Sequence, residues 1–146
     1  MQFFLSLIAP EPDFAEIDPA EMQEIIDMMG AYNKELHAAG AWVTGGGLQA
    51  LDQSRTVKFP EGEGEISVSD GPFAETKEQL AGFWIIECES TDKAVEWAKK
   101  APLSGGGASL EIRPLGDEIG EFKVLEDRDT DAQTLLDAAQ GKGNQA

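Results

Sequence analysis

The sequence predicts an α+β domain over residues 1–115, followed by an acidic extension over residues 116–146. Two observations support this prediction. Short segments of high β propensity are separated by two segments with helical apolar spacing. These elements follow the order strand, helix, strand with hairpin, strand, helix, strand, which is the split βαβ, or ferredoxin-like, βαββαβ arrangement with an inserted β-hairpin. A chain of 146 residues has the length of one domain.

The first strand is predicted at residues 2–8, where β-forming residues precede Pro10. A helix follows, with Asp18 as its N-cap and Pro19 at its first position, because this pair is typical of helix starts. Gly40 is predicted to end it. The apolar residues with helical spacing are Met22, Ile25, Ile26, Met29, Tyr32 and Leu36.

The middle of the chain is predicted to contain a second strand, a hairpin and the strongest strand. Residues 41–44 begin the second strand, which opens into three glycines at 45–47. The glycines are not expected to bind phosphate, since no lysine or helix follows them. Residues 55–59 and 65–69 form the hairpin. The strongest strand covers residues 82–89.

A second helix is predicted to begin near Thr91 and to stop before Pro102. Glu96 and Lys100 have the spacing of a stabilising pair on its surface. Residues 109–115 form the last core strand. The residues expected on the buried face of the helix are Ala94, Trp97, Ala98 and Ala101.

The acidic extension has one helical pattern. Thr130 and Gln133 match a capping box, and Leu135 and Leu136 follow on one face. This helix is expected to dock on the domain or on a second subunit, while residues 141–146 fray.

Charge and composition limit the classes of partner. The formal net charge is −17, with 28 acidic and 11 basic side chains, so nucleic-acid and anionic membrane partners are disfavoured.

No stretch is long enough to cross a membrane, and the apolar residues 3–8 fit a buried strand better than a signal peptide. A single cysteine, Cys88, favours a reducing cytoplasm and an inert buried thiol. No cluster has metal-site spacing, and neither metal nor cofactor is predicted.

The strand patterns predict a homodimer. Residues 82–89 are apolar on both faces, and the first strand likewise places Phe3, Leu5 and Leu7 opposite Phe4 and Ile8. Two helices on one side of a sheet would leave the second apolar face exposed. The simplest cover for it is the same sheet of another copy.

Polar residues on the last strand point to a ligand site in the covered interior. Leu110 and Ile112 share one face, which leaves Glu111 and Arg113 on the other. These two side chains either bind a polar ligand or form an ion pair at the rim of the sheet.

The first helix has two further candidates. Asn33 lies in the middle of the apolar face, so its amide is expected to bond structurally or to contact a ligand. His37, the single histidine, lies near the end of the helix, where the dipole stabilises a cation. It is the candidate acid/base group on this helix.

The segment DGPFAETKE at residues 70–78 is the most distinctive in the chain. As a structural corner, Asp70 would bond nearby backbone N–H groups in a tight turn, and Glu75 or Thr76 would cap a short helical turn. As a functional segment, it would supply Asp70 as a general base, Lys77 as an anion anchor and Phe73 as a pocket wall.

This segment resembles the signature of the DGPF-type branch of the YCII-related family, and residues 111–114 agree with it. The resemblance implies a dimeric α+β barrel with a cleft between subunits. Relatives outside the DGPF-type branch carry a mid-helix histidine that works with an aspartate, whereas the comparable stretch here lies near Met28 and Met29, so this chain departs from that pattern. What the resemblance implies as one hypothesis is lyase-like or dehalogenase-like acid/base chemistry on a small polar molecule, with Asp70 as base and Lys77 and Arg113 binding an anion. The alternative is a non-catalytic accessory of an extracytoplasmic-function sigma factor.

Overall fold

The computed structural model describes residues 1–11 and 15–116, together with the single positions 133 and 140. Within this part, two helices pack on a four-stranded antiparallel sheet, and a separate two-stranded sheet lies in the middle of the chain. The elements are β1 (Gln2–Ala9), α1 (Pro19–Ala38), β2 (Trp42–Gly47), a 3-10 turn (Leu51–Gln53), β3 (Arg55–Lys58), β4 (Ser67–Asp70), β5 (Gln79–Glu87), α2 (Thr91–Lys99) and β6 (Ser109–Pro114).

The strand order in the large sheet is β2-β5-β1-β6, and β3 pairs with β4 alone. Every pairing is antiparallel. The two central strands, β1 and β5, are thus neighbours in space although α1, β2 and the hairpin separate them in sequence. This confirms the mixed α+β class and is consistent with the predicted ferredoxin-like order.

The predicted alternation in β1 and β5 is confirmed by burial. Phe3 and Leu5 of β1 and Ile86 of β5 are fully buried. Trp84 lies directly opposite Leu5 in the register. The helices cover this face with Tyr32, Leu36 and Ala94, and the predicted packing face of β6 joins the same core through Leu110 and Ile112.

The α1 boundaries follow from its caps. Asp18 accepts a hydrogen bond from the backbone N–H of Ala20 and forms a capping box with Glu21. Gly40 takes a φ of 70° just after the last turn, a conformation that glycine adopts without strain. Only the C-terminal half of the helix is packed, since Ile25 and Ile26 are 43% and 55% exposed.

Strand β2 includes the three glycines, because Gly47 pairs with Gly82 of β5. Two local expectations were wrong. The Glu96–Lys100 pair does not form, because each side chain has another partner. Glu96 instead meets Lys93 at 3.0 Å, and Lys100 meets Glu35 of α1 at 3.5 Å.

The second wrong expectation is the helical turn predicted within residues 75–80. No helix occurs there, and β5 already begins at Gln79. The side-chain amide of Gln79 donates to the carbonyl oxygens of Ala74 and Thr76 at 2.9 and 3.0 Å. These bonds give the segment an irregular conformation, because they satisfy carbonyls that a helical turn would otherwise use.

The acidic extension is largely outside the described residues. The predicted tail helix, apart from Gln133, falls there, and the boundary at residues 115–116 stays a prediction. No helix in the described part of the chain is long and apolar enough to cross a membrane.

Candidate functional site

A cavity of about 210 Å³ lies between α1 and the β2–β5 side of the large sheet. Its lining combines aromatic rings, aliphatic side chains and glycine backbone with one side-chain amide. The lining residues are Leu7, Met29, Asn33, Trp42, Gly45, Gly46, Gly47, Gly82, Phe83 and Trp84. Gly46 and Gly47 are exposed and Trp84 is buried, so the cavity runs inward from the outer end of β2.

The glycines of the cavity have different structural roles. A Cβ at Gly45 would lie 2.9 Å from the carbonyl oxygen of Phe83 and 3.1 Å from Cδ1 of Trp84. A Cβ at Gly82 would lie 2.9 Å from the carbonyl oxygen of Gly46. Both positions therefore need glycine, because a Cβ at either one would lie within 3 Å of a backbone oxygen of the neighbouring strand. At Gly47 a Cβ would meet no atom within 4 Å, so this position borders open space.

Asn33 supplies the polar group of the lining. Its Oδ1 accepts a 2.9 Å hydrogen bond from Nε1 of Trp84. The expectation that this amide has a structural hydrogen-bond partner is thus confirmed. Because an indole nitrogen is only a donor, the bond also fixes which end of the amide faces Trp84.

An aromatic contact with Tyr32 also holds the indole of Trp84 in place. The ring of Tyr32 meets it edge to face, with the centroids 5.6 Å apart. The Tyr32 hydroxyl donates to the backbone carbonyl of Trp97 at 2.9 Å. Burial, with a smaller contribution from the nearby Glu35 carboxylate, raises the pKa of Tyr32 to about 12. Tyr32 is therefore a neutral structural donor.

His37 lies one ring away from the cavity. Its imidazole stacks on Trp42 at a centroid distance of 4.7 Å, and Trp42 lines the cavity. The imidazole itself is exposed and is not part of the lining. His37 and Asn33 thus both lie in the C-terminal half of α1, with Asn33 in the cavity lining and His37 outside it.

The distinctive segment at residues 70–78 lies away from the cavity lining. Asp70 is the last residue of β4, and its carboxylate meets Nε of Arg55 at 3.0 Å. The expected bonds from this carboxylate to backbone N–H groups are replaced by that ion pair, since β3 places Arg55 directly opposite. Phe73 is 82% exposed, and Lys77 is also exposed.

Glu111 and Arg113 lie on the face of the sheet opposite the helices. Their partners in the β1–β6 register are Ser6 and Phe4, and both charged side chains are exposed. No ion pair joins the two among the residues described here. Phe4 lies on the same face, and its ring stacks at 5.5 Å on Phe83, which also belongs to the cavity lining.

The cavity is built for apolar contact. None of its described lining residues carries an ionisable side chain. No group of three or more His, Cys, Asp or Glu residues able to hold a metal occurs in the described ranges. Cys88 lies outside the lining, and burial raises the pKa of its thiol. The lining therefore differs from the polar pocket that the sequence suggested.

Sequence reasoning missed most of this site. The sequence pattern places Trp42 and Trp84 only on strands, and the glycines at 45–47 lack a phosphate-binding pattern. The available signal was a tryptophan followed closely by three glycines inside a strand. Glycine in a strand often marks a close backbone approach or a ligand contact.

Comparisons with known proteins identify relatives of this chain. The family model described as "YCII-related domain" matches residues 2–116. An uncharacterized protein, R00369, from Rhizobium meliloti (strain 1021) is 51% identical over 53 residues, which cover 36% of this chain and 43% of the relative. The match thus spans less than half of that relative's length.

One solved structure is similar in outline. It is 5-chloro-2-hydroxyhydroquinone dehydrochlorinase (TftG) from Burkholderia phenoliruptrix AC1100, in complex with 2,5-dihydroxybenzoquinone. The alignment covers 79% of this chain and 93% of that one, with 19% sequence identity and a TM-score of 0.38.

Proposed function

The chain belongs to the YCII-related family, and we propose that this protein binds a small, largely apolar molecule in the cavity between α1 and β2. The observation that supports this proposal is the cavity itself, about 210 Å³ in volume and walled by Trp42, Trp84 and Met29. An engineered apolar cavity of ~150 Å³ in another protein holds benzene. A compound with one aromatic ring is therefore of suitable size.

The lining of the cavity supports non-covalent ligand binding better than it supports acid/base catalysis. Proton transfer requires a titratable group within hydrogen-bond reach of the substrate, and the described lining has none. A bound aromatic ring would instead gain contact area against two indoles. We therefore place non-covalent binding first and catalysis second.

The second proposal keeps the predicted acid/base residues. The imidazole of His37 stacks on Trp42, which lines the cavity, and this contact supports a role for His37 at the cavity edge. Asp70 is paired with Arg55, so its proposed role as a base requires that this exposed pair opens. The predicted roles of Phe73, Lys77 and Arg113 likewise require a cleft completed by a second subunit.

We also propose that two copies associate through the open face of the large sheet. Phe4, Ile85 and Phe83 lie there in partial exposure, flanked by Glu111 and Arg113. Burying such a patch stabilises association by roughly 25 cal/mol per Å² of apolar area. Ile85→Glu is expected to lower the sedimentation mass, whereas Ile26→Glu on the exposed side of α1 is not. An unchanged mass for Ile85→Glu, with native circular dichroism, would contradict this association.

The branch of the family and the alternative accessory role remain to be considered. The segment at residues 70–78 supports placing the chain in the DGPF-type branch. The accessory role beside a sigma factor has no support from the comparisons. A small molecule bound in the cavity would favour the ligand-binding function over that role.

The binding proposal is tested by a thermal-shift screen with compounds that contain one aromatic ring, on wild type and Gly47→Leu. The substitution fills the cavity from a position where a Cβ meets no atom within 4 Å. A ligand at a hundredfold excess over its Kd stabilises by ~2.7 kcal/mol. We expect stabilisation of the wild type that is lost in Gly47→Leu. No stabilisation by any compound, or equal stabilisation of both proteins, would reject the proposal.

A further inference from the structure

We infer that Asn33 selects the ligand, and that the cavity prefers a neutral molecule with a hydrogen-bond acceptor, such as an aromatic carbonyl compound. This inference rests on the proposed binding function and adds the chemical class of the ligand.

The orientation of the Asn33 amide follows from its partner. The indole N–H of Trp84 can only donate, so the atom that it meets at 2.9 Å is the amide oxygen. The amide nitrogen Nδ2 consequently points away from Trp84 with two N–H donors. Among the described residues, no acceptor bonds to Nδ2. Asn33 belongs to the cavity lining, and no other lining side chain carries an oxygen acceptor, so a ligand acceptor in the cavity is the partner proposed for Nδ2.

The charge of the lining excludes an anionic ligand. No Lys, Arg or His belongs to the described lining, and the chain as a whole has a net charge of −17. A carboxylate placed between Trp42 and Trp84 would lose its hydration without gaining a counter-ion. A neutral carbonyl oxygen loses less hydration and is satisfied by one N–H donor.

Contacts with the core hold the Asn33 amide in place before a ligand binds. Trp84 is only 6% exposed, and Tyr32 packs against it edge to face. The Tyr32 hydroxyl is in turn fixed by the carbonyl of Trp97. This series of contacts ties the amide to the core, so little side-chain freedom is lost when the ligand binds.

The test uses three probes of similar shape. Acetophenone is neutral and has an acceptor, ethylbenzene has none, and benzoate is an anion. Calorimetric titration is expected to give about tenfold tighter binding for acetophenone than for ethylbenzene, as one buried hydrogen bond provides. Benzoate is expected to bind more weakly than either.

Asn33→Asp is the matched variant, because a carboxylate still accepts from Trp84 but no longer donates. We expect the ratio of acetophenone to ethylbenzene affinity to fall from about tenfold to near one in this variant. Trp84→Phe serves as a second variant, since it frees the amide to turn and should reduce the preference.

The outcomes separate the two proposals. Equal wild-type affinity for acetophenone and ethylbenzene would overturn the role of Asn33 and leave apolar binding intact. Tighter binding of benzoate would overturn the preference for a neutral ligand. A preference for acetophenone over ethylbenzene that survives in Asn33→Asp would likewise overturn the role of Asn33. Absence of binding by all three probes would reject both the inference and the binding function beneath it.

Discussion

The indole N–H of Trp84 donates to the side-chain oxygen of Asn33 across 51 positions of sequence, and this bond joins β5 to α1. It lies beside the cavity, so the same contact stabilises the fold and orients the polar group of the site. The stability of the domain and its ligand preference therefore depend on a shared pair of residues.

Removing the acceptor should destabilise the fold. Asn33→Leu leaves the buried N–H of Trp84 without a partner, which costs about 1–3 kcal/mol. Chemical denaturation of wild type and variant measures this loss. Asn33→Asp, which keeps an oxygen at the same position, is the control and should lose less. Equal stability of Asn33→Leu and wild type would show that the bond does not contribute.

The glycines of β2 should differ sharply in their tolerance of a methyl group. Gly45→Ala places a Cβ 2.9 Å from the carbonyl oxygen of Phe83 and should destabilise by about 1–3 kcal/mol. Gly47→Ala meets no atom within 4 Å and should change the stability by less than about 0.5 kcal/mol. Paired thermal melts test this contrast, and similar melting temperatures for the two variants would contradict it.

Tyr32 should make the protein less stable at alkaline pH. Its pKa of about 12 in the folded state exceeds the ordinary value of 10.0, so the unfolded chain loses the proton first. The free energy of unfolding that the neutral phenol of Tyr32 contributes is fully present below pH 10 and is lost as the pH rises toward 12. Because Tyr32 is the single tyrosine, ultraviolet absorbance of the tyrosinate reports its titration directly.

Tyr32→Phe is the control for that experiment. Lysines also titrate in this range, and the variant retains them while removing the phenol. The loss of stability between neutral and alkaline pH should be smaller in Tyr32→Phe than in the wild type. Identical pH profiles, or a tyrosine that titrates at its ordinary value in the folded protein, would refute the assignment.

The ion pair between Asp70 and Arg55 should contribute little to stability. The two side chains are 89% and 56% exposed, and pairs of this kind contribute less than about 1 kcal/mol. Asp70→Asn and Arg55→Gln should therefore have nearly wild-type unfolding free energies, with a difference that shrinks further in salt. A loss above about 2 kcal/mol in either variant would mean that the hairpin packs against a partner.

The sequence predicts those parts of the fold that depend on local pattern. Alternation along β1 separates Phe3 and Leu5 from Phe4, and burial follows that division. Asp18 and Pro19 mark the start of α1 because capping is decided within one turn. The two faces of β6 are likewise predicted correctly from its alternating residues.

The cavity could not be predicted in this way, since it depends on pairing between distant segments. Gly45 lines it because β2 pairs with β5 after an irregularity between Trp42 and Thr44, and no local pattern specifies that register. The same limitation explains Lys100, which pairs with Glu35 of the other helix rather than with a neighbour in its own. Tertiary contacts decide both cases.

The most direct test of the account follows the three indole N–H resonances in the NMR spectrum of isotope-labelled protein during titration with acetophenone. Trp42 and Trp84 line the cavity, whereas Trp97 lies outside its lining and serves as the internal control. We predict that the Trp42 and Trp84 resonances shift in a saturable manner while the Trp97 resonance stays in place. Saturable binding that shifts Trp97 alone, or no shift of Trp42 and Trp84, would contradict a ligand site in this cavity.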